Sequence, residues 1–226
     1  MSLKKFLAFL AISTAASQSS AEISLSQLIV DLSSNARARD VEIYNDSDER
    51  AFVVIEPREI INPGQISEST RKSPDPEALG LIVSPRKIIL EPRQRRLIRL
   101  ADIGADRQRE RVYRVMVKPQ VGQITSQSSG LKLLVGYDML VLVRPDNAEE
   151  PSLAAKRVYG QLVITNNGNA SVELDAGKQC DAREANCRDL GGKRLYAGAS
   201  WTVDAPMTTP ARFKVKTSSG WSNAAF

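Results

Sequence analysis

Histidine is absent from the 226 residues, and the chain holds two cysteines, Cys180 and Cys187. Without an imidazole there is no Ser–His–Asp or Cys–His nucleophile, no His general base and no His-containing metal site. Two cysteines cannot build a four-cysteine zinc site, and six residues lie between them, which is not the Cys-x-x-Cys spacing of redox motifs. Carboxylates remain. A pair such as Glu110 and Asp138 could serve a hydrolase only in a cleft that raises one pKa, and nothing in the sequence points to either. The reading is of a protein that is not an enzyme, with no catalytic residues, no metal and no cofactor. In an oxidising compartment Cys180 and Cys187 are expected to pair as a staple, contributing roughly 2–3 kcal/mol by the chain-entropy account.

That compartment is indicated by the N-terminus. Lys4 and Lys5 are followed by an apolar stretch from Phe6 to Ala16, interrupted by Ser13 and Thr14, and Ser19-Ser20-Ala21 offers small residues for cleavage. Residues 1–21 therefore read as a secretory signal. A stretch of 11 residues is too short for a bilayer crossing, which needs about 20. No other segment approaches that length, so the chain is not expected to be membrane-embedded. Removing the leader lowers the formal charge from +5 to +3. The basic residues are scattered among carboxylates and aromatics make up 5%, so nucleic acid is not an expected partner.

The rest of the chain reads as strands that could position a binding surface. Val41–Tyr44 and Ala51–Ile55 flank a turn-rich Asn45–Arg50, and Leu81–Val83, Lys87–Leu90 and Arg95–Leu100 follow. Arg111–Lys118 and Gly130–Arg144 are the longest candidates. Pro63–Glu77 reads as a surface loop, and Ala101–Arg109 could hold a helical turn. Pro145 and Pro151 with their charged neighbours mark a linker. Gly160–Thr165, Ala170–Leu174, Trp201–Val203 and Arg212–Lys216 form a second strand series. Trp201, Trp221 and Tyr196 are assigned to the core of that small second domain rather than to a sugar-binding platform. The expected fold is all-β, with two immunoglobulin-like β-sandwich domains over residues 22–146 and 147–226.

Several stretches carry a family resemblance, in order along the chain. Gly80-Leu-Ile-Val-Ser-Pro85, Leu90-Glu-Pro92, Ile98-Arg-Leu100, Glu110-Arg-Val-Tyr-Arg-Val115 and Lys118-Pro119 resemble the first domain of PapD-like periplasmic pilus-assembly chaperones. Gly136-Tyr137 through Arg144-Pro145 resembles the end of that domain's last strand, and Gly160–Leu174 the start of the second domain. Tyr113-Arg-Val115 and Gly136-Tyr-Asp138 are similar to the alternative or archaic branch. The resemblance implies an L-shaped pair of sandwiches that holds pilus subunits by donor-strand complementation and delivers them to an outer-membrane usher. It also implies a periplasmic location and self-association when free of client.

The resemblance assigns roles to residues. Leu131, Leu133, Val135 and Tyr137 form an apolar row that a client groove would receive, though Leu134 makes the other face partly apolar too. Such a row is an aggregation liability unless it has a purpose. Family members grip a client's terminal carboxylate with an Arg and a Lys; here Ile29 and Leu140 stand at those positions. Arg114, Arg144 and Lys132 are the local replacements, with Arg suited to bidentate capture. Glu110 and Arg144 match an interdomain charged cluster, while the expected C-terminal aspartate is missing from Ser218-Ser-Gly-Trp221. The alternative is a secreted binding or adhesion module in which Leu131–Tyr137 is an ordinary core strand.

Overall fold

The computed structural model describes residues 23–120, 134–147 and 152–226. The expected leader, Lys132, and the row members Leu131 and Leu133 lie outside them.

Alternation of apolar and polar residues organises the first sandwich. One sheet orders β1 (Ile23–Leu25), β3 (Ala38–Asn45), β8 (Arg95–Asp102) and β6 (Leu81–Ser84). The facing sheet orders β2 (Ile29–Leu32), β10 (Tyr137–Val143), β9 (Arg111–Gln120), β4 (Ala51–Ile61) and β5 (Ser69–Arg71), with β7 (Lys87–Leu90) also paired to β4. All these pairings are antiparallel except β2 with β10. In β9 the odd positions Tyr113, Val115 and Val117 are fully buried, and even positions point outward. They meet Ile43, Ile98 and Leu100 of the other sheet in one core. This is the period-two pattern of a sheet with one face covered.

β10 departs from that pattern. Its last five residues, Met139 to Val143, are all buried. Met139, Val141 and Val143 enter the first core, while Leu140 and Leu142 join Val112 in a separate cluster against Ile60 and Tyr196. Tyr196 comes from the second sandwich. A strand covered on both faces reads as a continuous apolar run, and Met139-Leu-Val-Leu-Val143 is such a run.

The second sandwich sets β11 (Leu153–Val158), β12 (Gln161–Asn166) and β15 (Ser200–Asp204) against β14 (Cys187–Leu195), β13 (Val172–Cys180), β16 (Ala211–Thr217) and β17 (Gly220–Ala225). Its core gathers Leu162, Ile164, Leu174, Phe213 and Val215, with Trp201 edge-on to Phe213 at 5.8 Å between ring centroids. Cys180 and Cys187 form a disulfide between register partners that closes the β13–β14 hairpin.

Several expectations need correction. Pro63–Glu77 is not only loop: it contains β5 and the start of α1 (Pro76–Leu79). Asp75 caps that turn by accepting from the Glu77 N–H at 2.9 Å, and Gly80 ends it in the left-handed conformation. Ala101–Arg109 holds no helical turn; β8 runs on to Asp102. Strand pairing in the long Gly130–Arg144 candidate begins at Tyr137 among the described residues. Trp221 is not core: it stands 57% exposed on β17, with the Lys216 ammonium 5.5 Å from its ring.

Candidate functional site

The ends of β9 and β10 lie where the two sandwiches meet. Glu110 precedes β9 and Arg144 follows β10, and the antiparallel register that pairs Val143 with Arg111 brings them side by side. Arg144 Nη1 lies 2.5 Å from Glu110 Oε2, and its Nε donates to Asp31 Oδ1 at 2.7 Å. The second sandwich contributes Ser171, whose hydroxyl donates to Glu110 Oε2 at 3.1 Å and whose carbonyl accepts from Arg144 at 3.3 Å. Asp31 of the first sandwich and Ser171 of the second thus complete the cluster around Arg144 and Glu110. Burial pushes the Glu110 carboxyl above its usual range, offset in part by Arg144 and the Ser171 hydrogen bonds.

Backbone contacts complete the junction. The Glu110 N–H donates to the Asn169 carbonyl at 2.8 Å, and Asn169 Nδ2 donates to the carbonyls of Gln108 and Asn147. Arg107 holds the linker through Asp146 at 2.8 Å. A second bridge forms at the turn between β4 and β5, where Gln65 Nε2 donates to the Ala197 carbonyl at 3.3 Å.

Between these two attachments lies the outward face of the sheet that contains β10. Register places Ile29, Leu140, Arg114 and Arg58 in one row across β2, β10, β9 and β4. The next row, toward the junction, is Asp31, Leu142, Val112 and Ile60. Tyr196 covers this region from the second sandwich; burial raises its hydroxyl pKa, and Arg114 and Arg194 pull it back. Among the described residues Arg114 has no carboxylate partner; its Nη1 approaches only the Asp138 carbonyl, at 3.4 Å. Arg58 crosses over β9 to Asp138, with Nη2 to Oδ2 at 2.7 Å. Glu56, Lys72, Met116, Lys118, Leu134 and Gly136 line the hollow beyond them, an opening of about 860 Å³.

The expected row of apolar residues divides at Tyr137. Val135 is 47% exposed just before the strand begins. Tyr137 packs against the first core, and its hydroxyl donates to the Ile23 carbonyl at 2.9 Å. Arg144 is brought to Glu110 rather than to Arg114, and its side chain is only 11% exposed.

Arg58 was not among the expected site residues. The expected strand Ala51–Ile55 stops short of it, whereas β4 continues through Pro57 to Ile61. Continuing the buried positions Ala51, Val53 and Ile55 by twos would have put Arg58 on the outward face with Val54.

Residues 22–149 match the family described as pili and flagellar-assembly chaperone, PapD N-terminal domain. Among curated proteins the chain is 27% identical over 172 residues to a CS1 fimbrial subunit of Escherichia coli, covering 71% of each. It is 27% identical over 168 residues to a CFA/I fimbrial subunit of Escherichia coli, covering 72% of this chain and 69% of that one. Among solved structures it resembles the class 5 fimbriae chaperone CfaA, with TM-score 0.68 and 23% identity over 90% of this chain and 98% of that one. The chaperone SafB, bound to the SafA pilin of Salmonella enterica, gives TM-score 0.64 and 15% identity over 91% and 97% of the two chains. At these identities the structural likeness is one of fold: two β-sandwich domains.

Proposed function

The chain belongs to the pili and flagellar-assembly chaperone family, and from that membership we propose that it captures pilus subunits by lending them a strand. The segment leading into β10 supplies the strand, with Leu131, Leu133 and Val135 as the side chains that enter the client's groove. Tyr137 seats the strand in the first sandwich. Main-chain hydrogen bonds hold the two proteins together, and alternate side chains supply the fit. No covalent step is involved, which suits a chain without histidine.

The client's terminal carboxylate is seated at Arg114 and Arg58. A buried carboxylate without a cation is prohibitively costly, and Ile29 and Leu140 offer none. The observation that carries this reading is the row Ile29, Leu140, Arg114 and Arg58. The cations stand one and two strands over from the positions the family uses. Arg144 serves the domain junction instead, and Lys132, between Leu131 and Leu133 in the sequence, stays in reserve. The partners are pilus subunits and, at delivery, an outer-membrane usher. The chaperone works in the periplasm after residues 1–21 are removed. Leu28 and Ile29, each 49% exposed, supply the contact for self-association when no client is held.

The test is recovery of the tagged chain from periplasm, with mass spectrometry of what accompanies it. A pilin should accompany the wild type, and Arg114→Ala at unchanged melting temperature should lose it. Recovery of the wild-type chain alone would instead favour a free-standing binding module.

A further inference from the structure

Both cations assigned to the client's carboxylate already converge on one residue. Arg58 Nη2 is 2.7 Å from the Asp138 carboxylate, and Arg114 Nη1 is 3.4 Å from the Asp138 carbonyl. The strands explain how. Asp138 sits opposite Met116, and Met116 opposite Glu56, one row away from Arg114 and Arg58. An arginine on β4 is long enough to reach diagonally over β9, and an aspartate on β10 is short enough to stay put. The side chains are 22% and 35% exposed, so the pair stands at the wall of the cleft rather than in the core.

The surroundings make Asp138 unusual. Arg58, its partner, lines the neighbouring hollow together with Lys72 and Lys118, where Glu56 is the one acidic lining residue. Paired with Asp138, the Arg58 guanidinium at the rim of that hollow is not left open to a ligand. We propose that Asp138 is an internal stand-in for the client's terminal carboxylate: it occupies Arg58 in the free chain and is displaced when a client docks. This rests on the assignment of Arg58 and Arg114 to that carboxylate. A partly exposed ion pair is weak, so the stand-in yields to a client that adds a whole strand, while a lone small anion must compete with it. Asp138 thereby favours a carboxylate presented at the end of a docked strand over free anions.

The experiment uses acetate as the carboxylate probe on the intact two-domain chain, read by NMR at the arginine Nε–H resonances. In Asp138→Asn, acetate should half-saturate the Arg58 shift at a concentration roughly two- to fivefold lower than in wild type. Asp175→Asn, which removes one equal charge from the second sandwich, should match wild type. Equal half-saturation in Asp138→Asn and wild type would overturn the stand-in while leaving the anchor intact. An equal gain in Asp175→Asn would also overturn it, by showing a general charge effect. If acetate moves neither Arg58 nor Arg114 in Asp138→Asn, the anchor assignment itself fails and the stand-in with it.

Discussion

Arg144 and Glu110 form an ion pair whose carboxylate side chain is 1% exposed, at the seam between two sandwiches. One carboxylate oxygen receives Arg144 and the Ser171 hydroxyl, while Oε1 has no hydrogen-bond partner among the described residues. A half-satisfied buried carboxylate explains why burial outweighs the cation beside it and the Glu110 pKa rises.

This gives a prediction in pH. A carboxyl whose folded pKa lies above its unfolded value binds more protons when folded, so its contribution to stability falls as pH rises between the two. The lower bound of that window is the ordinary value of 4.5. Melting curves of wild type and Glu110→Gln should be compared from that pH upward. The wild type should lose stability relative to the variant as pH rises through the raised pKa. A constant difference would show that Glu110 titrates normally.

The hairpin staple gives a second prediction. Cys180 and Cys187 close a loop at the far end of β13, on the second sandwich. Replacing both with serine should cost about 2–3 kcal/mol by the loop-entropy account. Denaturant unfolding would measure that cost, and client capture by the first sandwich should survive it. Loss of capture in a folded double variant would contradict that division of labour.

A third prediction concerns the second bridge between the sandwiches. A Cβ built on Gly64 would lie 3.4 Å from the Ala199 Cβ, close to the roughly 3.5–4.5 Å that a disulfide spans. Gly64 has φ +73°, so a side chain there costs about 1–2 kcal/mol. Gly64→Cys with Ala199→Cys should nonetheless cross-link on air oxidation, read as the loss of two thiols by mass spectrometry. Persistent free thiols in the folded protein would show that the β4–β5 turn does not rest on the second sandwich.

Which features were legible in the sequence follows from what each strand buries. β9 and β12 alternate against one core and could be read directly from Arg111–Lys118 and Gly160–Thr165. Edge strands could not. β11 has no residue fully buried, and β17 is an uncharged Gly-Trp-Ser-Asn-Ala-Ala run with one partner, so neither shows an apolar period. The two-faced burial of Met139–Val143 comes from Tyr196, far along the chain in the other sandwich, which no local pattern contains. The same holds for Arg58. Its relation to Arg114 is a register fact, set by how β4 and β9 slide against each other.

The central claim is that an apolar row ahead of β10 serves a client rather than the chaperone's own core. Val135, ahead of β10, stands 47% exposed in the free chain, whereas Val141 within β10 is fully buried. Val135→Asp and Leu133→Asp should therefore melt within a few degrees of wild type, while Val141→Asp should fail to fold. The decisive measurement is the amount of pilin recovered with each tagged variant from periplasm, normalised to chaperone. Pilin recovery should collapse for Leu133→Asp and Val135→Asp at unchanged melting temperature. Full recovery with both, or unfolding equal to that of Val141→Asp, would contradict strand donation.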